Sequence, residues 1–309
     1  MGYFVLRHHL DLIGFAVLAV AGLLALDRWV RRTTGRAARL GPATWAGLLA
    51  IVVGGVIAGT VAGRWIDRRL RDMIGGLAPT YADQLARLGH DRVTPDTPAD
   101  DPTYLALVEA ERRWQRLNPF VADIYTFGRR PDGTIVLLVD AETDYDHNGR
   151  YEGAREQRTP VGEPYAADTE TINRAFAGEA VFTEHLVTDR WGTWVSTYVP
   201  MRSADGRVSA VLGVDFPADQ WVGSILVHRG AMLGLAGTLA TTLAGAAAVT
   251  RVTRAEARRR EAAHRRAATH DGLTGLPNRL LFRERLDAAV AAARRDPDAR
   301  SAVLFLDCD

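Results

Sequence analysis

Thr269-His270-Asp271-Gly272-Leu273-Thr274-Gly275-Leu276-Pro277-Asn278-Arg279-Leu280-Leu281-Phe282 is the stretch whose reading decides the architecture of this chain. Asp271 to Arg279 reads as a turn rich in Gly, Pro, Asp and Asn. Leu280 to Ala293 reads as a helix with Phe282, Leu286 and Val290 on one face. Upstream, Val249 to Thr269 contains no Gly or Pro and is dominated by alanine and arginine, so a helix is expected to lead into the turn. Downstream, Ala302-Val303-Leu304-Phe305-Leu306-Asp307-Cys308-Asp309 is an apolar run closing on acids.

The Asp-x-Leu-Thr-Gly-Leu-x-Asn-Arg string at Asp271 to Arg279, followed by Leu306-Asp307-Cys308-Asp309, resembles the opening of GGDEF domains, the diguanylate cyclase family. That resemblance implies an α/β output domain whose first core strand is Ala302 to Asp309. It implies Mg²⁺ held by the Asp307 carboxylate and the Cys308 backbone carbonyl, GTP as substrate, cyclic di-GMP as product and a homodimer to bring two GTP together. It also implies a structural turn built on Asp271, Asn278 and Arg279, with an Asp271–Arg279 pairing. No Gly-Gly-Asp/Glu-Glu-Phe loop occurs in these 309 residues, so they are expected to make no cyclic di-GMP alone. Arg295-Asp296-Pro297-Asp298 has the Arg-x-x-Asp spacing of the family's inhibitory product site but lies far from its usual place, and reads as a loop.

Leu40 to Gly63 and Gly230 to Thr250 are uncharged throughout, each long enough for the roughly 20 residues that cross about 30 Å of hydrocarbon as a helix. Leu12 to Leu26 is shorter and bounded by Asp11 and Asp27; Trp29 and Tyr3 suit the two interfaces of a third span. Arginines crowd the first loop (Arg28, Arg31, Arg32, Arg36, Arg39) and follow the last span (Arg251, Arg254, Arg258, Arg259, Arg260). The positive-inside rule places both regions in the cytoplasm and the segment between spans two and three outside. Gly55, Gly59 and Gly63 share one helix face, the small-xxx-small spacing that lets helices approach closely in lipid. The formal net charge is +1 and the single cysteine, Cys308, rules out an internal disulfide framework. No nucleic-acid partner is expected; membrane lipids are.

From about Arg64 to Gln220 the chain has the length of a soluble domain. A helix continues to Leu88 and a second runs from Pro102 to Leu117. Strands follow at Ala122 to Phe127, Thr134 to Asp140, Thr193 to Met201 and Arg207 to Asp215, the last two joined by Ser203-Ala204-Asp205-Gly206. This order, with Asp189-Arg190-Trp191-Gly192-Thr193-Trp194 and Leu212-Gly213-Val214-Asp215, resembles the PAS-like Cache sensor domains of bacterial receptors. Candidate ligand residues are Tyr165, Arg190, Trp191, Trp194, Tyr198 and Asp215: aromatics for walls, Arg190 for a carboxylate, Asp215 for an ammonium. Strand alternation puts Trp194, Ser196 and Tyr198 on the pocket face and Val195 and Val199 against the long helix. Asp144, Asp146, Asn148 and Glu152 have oxygen spacing similar to a Ca²⁺ loop, the alternative being an Asx-rich turn.

The expected fold is a multi-domain membrane protein: spans at 10–30, 41–63 and 227–250, a cytoplasmic loop at 31–40, an α+β PAS-like (Cache) sensor at 64–226, a coupling helix at 251–268 and the first part of a GGDEF domain at 269–309. The expected function is a multi-pass inner-membrane receptor, its sensor extracytoplasmic and its C-terminus cytoplasmic, linking an unknown small external ligand to a diguanylate cyclase. Alternatives are a parent that also carries a phosphodiesterase EAL domain or is degenerate, and a receptor without enzyme activity.

Overall fold

A computed structural model describes residues 10–34, 41–145, 148–296 and 300–304. The chain forms two compact units, Met1–Leu12 with Gly55–Leu235, and Ile13–Gly54 with Ala236–Asp309. Among the described residues, three helices are long and apolar enough to cross a membrane: α1 (Leu10–Thr34), α2 (Pro42–Arg87) and α5 (Ala218–Thr269). Past the apolar runs, near Gly63 and again near Thr250, the backbone remains helical, in line with the helices expected there from the sequence. Nothing at these points interrupts the hydrogen-bond ladder, because Arg64-Trp65-Ile66 and Arg251-Val252-Thr253 are themselves compatible with helix. Tyr3 lies outside the described residues; Trp29 is exposed on α1.

In the first unit the glycine face of α2 is a packing face. A Cβ on Gly59 would meet Leu12 at 3.3 Å and Leu233 at 3.4 Å, and one on Gly63 would meet the Arg229 side chain at 2.8 Å. Arg229 reaches Asp11 at 3.5 Å, an ion pair next to Gly63.

The rest of this unit is a sheet between two layers. After α2, helix α3 (Pro102–Leu117) is started by Asp101, whose Oδ1 accepts from Thr103 N and Tyr104 N, with Pro102 at the first turn. Its buried residues, Tyr104, Leu107, Val108 and Glu111, fall at the i, i+3, i+4, i+7 spacing of a core stripe. The strands are β1 (Asp123–Arg129), β2 (Ile135–Asp140), β3 (Val181–Phe182), β4 (Val187–Thr188), β5 (Thr193–Arg202) and β6 (Val208–Pro217). All pair antiparallel in the order β2-β1-β6-β5-β3, with β4 also on β5. A short helix, α4 (Thr169–Phe176), lies between β2 and β3.

The two sheet faces bury different groups. Val195, Val199, Leu212 and Val214 pack with Ile74, Ala78 and Leu85 of α2 and with Leu107 of α3. Tyr125, Phe127, Leu137 and Tyr198 face the other way, with Ile172 and Ala175 of α4 and Tyr165. The valine face of β5 therefore meets the long helix and the aromatic face is turned to the loops, as its alternation requires.

In the second unit, Leu23, Leu48, Ala240 and Ala244 form a small core. Asp27, buried on α1, is paired with Arg31 one turn on. The turn after α5 leads into α6 (Arg279–Arg295), whose Phe282 and Val290 are exposed. The strand expected from Ala302 is not formed over Ser301 to Leu304, which have no strand partner among the described residues. A strand needs a neighbour to satisfy its backbone.

Candidate functional site

Three strand ends bring carboxylates together. Asp123 on β1 is directly opposite Asp215 on β6, and Asp215 is also opposite Ser196 on β5. Asp140 on β2 is opposite Tyr125 on β1. The pairing slips between Tyr125 and Phe127: Tyr125 faces Asp140, but Phe127 faces Leu137. Two residue steps on β1 thus span three on β2, which is a β-bulge. The bulge turns Leu137 and Asp140 to the same side although they are three positions apart.

On that side Asp123, Asp140, Asp189 and Asp215 line a small cavity, walled by Tyr125, Tyr145, Tyr165, Trp191 and Trp194. It offers ≈ 10 Å³ to the centre of a water-sized sphere, about the room one water needs. Tyr145 and Trp194, stacked with centroids 5.6 Å apart, separate it from an outer cleft of ≈ 640 Å³. Tyr165 and Trp191 stack at 6.5 Å on another wall.

Each aspartate is held differently. Asp123 Oδ1 accepts from Gln115 Nε2 at 2.7 Å, Thr143 Oγ1 at 3.1 Å and Ile124 N at 2.9 Å, and its Oδ2 accepts from the Tyr145 hydroxyl at 2.8 Å. Asp215 Oδ1 accepts from the Tyr125 hydroxyl at 2.9 Å. Asp189 Oδ1 accepts from Trp191 N, Gly192 N and Trp194 Nε1, so this carboxylate shapes the loop. Burial pushes Asp123 up to about 7, helped by the Asp215 charge, and pushes Asp215 up to about 8. Burial, then the charge of Asp123, holds Asp140 well above the usual carboxylate range. Glu111 on α3 is fully buried and both of its oxygens lack a hydrogen-bond partner. Burial raises its pKa far above normal, and the charges of Asp140 and Asp123 add to this.

Two glycines make the geometry possible. A Cβ on Gly213 would sit 2.2 Å from the Tyr125 ring, and one on Gly192 would sit 2.5 Å from the Trp194 indole. Both rings lie where only glycine leaves space.

Of the sequence candidates, Tyr165, Trp191, Trp194 and Asp215 line this cavity. The other two, Arg190 and Tyr198, are not in its lining. Arg190 is half-exposed, stacks on Trp191 with its guanidinium 4.1 Å from the ring centroid and pairs with Glu163 at 2.8 Å; it sits outside because its charge keeps water and a partner there. Tyr198 lies fully buried in the core beside Phe127, its ring beneath the cavity rather than in its wall. Asp123, Asp140, Tyr125 and Tyr145 were missed. Glu111 carried a readable signal, an acid in the core register of an amphipathic helix.

At the expected Ca²⁺ loop, Asp144 accepts from Asn148 N and Gly149 N, and Asn148 Oδ1 accepts from Arg150 N. Glu152 pairs with Arg150 at 3.4 Å. These oxygens close an Asx-rich turn; Asp146 lies outside the described residues. Among the described residues no cluster of three His, Cys, Asp or Glu side chains is placed to hold a metal.

In the second unit, Asp271 Oδ1 accepts from Leu273 N, Thr274 N and the Thr274 hydroxyl. Those amide bonds hold the carboxyl below its usual range. The expected Asp271–Arg279 pairing is therefore corrected: the carboxylate is engaged by its own turn. Asn278 caps α6 through Leu280 N and Leu281 N and ties back to the Ala268 carbonyl. Asp307 and Cys308 lie outside the described residues.

Residues 268–309 match the family model described as "Diguanylate cyclase, GGDEF domain". Over 42 residues the chain is 57% identical to the bifunctional diguanylate cyclase/cyclic di-GMP phosphodiesterase MucR of Pseudomonas aeruginosa, which is 14% of this chain and 6% of that protein. Among solved structures, the chain is similar to the ligand-binding domain of the Campylobacter jejuni chemoreceptor Tlp3 in complex with L-valine, at 12% identity over 60% of this chain and 68% of that one, TM-score 0.36. It is similar also to the extracellular domain of the putative histidine kinase mmHK1S-Z2, at 19% identity over 56% and 62%, TM-score 0.34.

Proposed function

We propose that this chain is the sensing and membrane-spanning part of a receptor whose output is a diguanylate cyclase domain. The observation that carries this reading is connectivity. One helix, α5, starts at the last strand of the carboxylate-bearing sheet and ends at Thr269, where the match to the GGDEF domain takes over. The arginines after the third apolar run and in the first loop argue for a cytoplasmic output and an extracytoplasmic sheet domain. GTP is a cytoplasmic nucleotide, which supports the same orientation. Dimerisation follows from the chemistry, since joining two GTP into cyclic di-GMP needs two substrate-loaded domains face to face.

In the complete output domain Asp307 would hold Mg²⁺ through its carboxylate and Cys308 through its backbone carbonyl, a hard cation preferring oxygen over the thiol. The ion would activate the attacking 3′-hydroxyl and offset triphosphate charge. A parent carrying a phosphodiesterase domain as well is the second reading, favoured by the likeness of the 42-residue stretch to the bifunctional MucR.

In a protein carrying this chain through a complete output domain, Asp307→Asn is expected to abolish conversion of GTP to cyclic di-GMP, read by chromatography. Membrane insertion should be unchanged. Undiminished turnover would remove Asp307 from the metal site, and no turnover in the unsubstituted protein would remove the cyclase reading.

A further inference from the structure

We infer that α1 is a working part of the receptor. The ion pair between Asp11 and Arg229, set beside Gly63, locks α5 to α1 at the sheet-domain end of the three apolar runs, and α5 carries a signal only by shifting this lock. The inference rests on the receptor reading above and adds the element that governs its linking helix.

The first ground is burial. Arg64, Arg68 and Arg69, at the same end of α2, are exposed, as arginines at a membrane edge normally are. Arg229 is 5% exposed. Both carboxylate oxygens of Asp11 are buried and accept no hydrogen bond from the described residues. Its ion pair with Arg229, at 3.5 Å, is the one that Asp11 makes among them. Removing one member of a pair so far withdrawn from water leaves the other charge uncompensated. Charges at the level of membrane helices turn inward and pair with one another, and mark working positions.

The second ground is the space made for the pair. A Cβ on Gly63 would meet Arg229 Nε at 2.8 Å and its Cγ and Cδ at 3.1 Å, so this side chain lies against bare backbone of α2. One turn along, a Cβ on Gly59 would meet Leu12 at 3.3 Å and Leu233 at 3.4 Å. Leu12 follows Asp11 in the chain, and Leu233 stands one turn after Arg229. One charged and one apolar contact, a turn apart, therefore fix the register of α1, α2 and α5 within the first unit. A glycine face offers little steric resistance to sliding. The charge pair supplies that resistance.

The third ground is the route from the sheet. Trp221 and Ile225 of α5 belong to the core that packs beneath the sheet. With Arg229 and Leu233 they recur every fourth residue, so one face of α5 leaves that core and enters the lock. The helix is unbroken from Ala218 to Thr269, where the match to the GGDEF domain takes over. A displacement of the sheet core is thus delivered to Arg229 before it reaches the output. An ion pair that is either made or broken gives such a displacement two discrete outcomes.

The test uses the full chain in detergent with Cys308→Ser, Leu12→Cys and Leu233→Cys, where a short bismaleimide joins α1 to α5. In that background Asp11→Asn and Arg229→Gln are each expected to cut crosslinking at least about threefold, and the double variant no further, because either change removes the same interaction. Asp11→Glu, which keeps the charge, should crosslink as the reference does. Crosslinking unchanged by both neutral substitutions, losses that add in the double variant, or an equal loss in Asp11→Glu would each overturn the lock. Its part in signalling is read in a protein carrying this chain through a complete output domain. There the neutral variants should change cyclic di-GMP production at least about threefold in one common direction, with Asp11→Glu unaffected. Equal production in all variants would reduce the pair to an anchor and overturn the inference. If the unsubstituted protein makes no product, the cyclase reading fails while the crosslinks still decide the lock.

Discussion

Phe127→Ala is expected to destabilise the sheet domain by about 3–5 kcal/mol, the usual cost of emptying a core aromatic site. Phe127 has 0% exposure, and its ring contacts Tyr125 at 5.1 Å, Tyr165 at 4.9 Å and Tyr198 at 6.0 Å between centroids. It is the floor on which the aromatic walls of the cavity rest. Removing it leaves a hole that those rings can fill only by leaving their places, so any ligand affinity should fall with stability. The control is Phe120→Ala: that ring is 68% exposed, and its loss should cost within about 0.5 kcal/mol. Thermal unfolding in detergent, followed by tryptophan fluorescence, compares the two. Equal shifts would mean that the β1 face is not the core described.

The second large effect is an unusual pH dependence. Asp123 and Asp215 have folded pKa values of about 7 and about 8, against about 3.9 for an unfolded aspartate. The folded sheet domain keeps protons that the unfolded chain has released. Their contribution to stability is fully present below about pH 4 and is lost as pH rises through the folded values. For each retained proton the slope is about 1.4 kcal/mol per pH unit in between. Surface ion pairs titrate in the opposite sense, so the informative quantity is a difference. Asp215→Asn should flatten the fall in stability between about pH 5 and 7 by about that slope. Parallel profiles for the two proteins would contradict the buried, proton-holding state of Asp215.

Local chemistry made much of this fold readable. Asp205-Gly206 and Asp132-Gly133 mark the two hairpin turns, where Gly206 and Gly133 take positive φ of 84° and 89°. Alternation from Trp194 to Val199 told the helix face of β5 from the cavity face because a strand cannot rotate one residue without turning them all. The turn from Asp271 to Arg279 was visible because its hydrogen bonds close within a few residues.

What stayed hidden depends on distant partners. Asp140 enters the site only through the bulge opposite Tyr125, and Asp123 only through its register with Asp215. Neither follows from its own neighbours in the chain. Helix α4, eight residues long, is too short for its period to stand out. Arg190 looked like a ligand residue beside two tryptophans, yet its pairing with Glu163 carries it outward. Gly213 gave no hint that a tyrosine ring from another strand lies over it.

The central claim, an extracytoplasmic sensor joined by one helix to a cytoplasmic output, is tested most directly by topology reporters. Fusions after Thr34, Asp168 and Ala267 are expected to read cytoplasmic, extracytoplasmic and cytoplasmic. A cytoplasmic reading after Asp168, inside the sheet domain, would contradict the account.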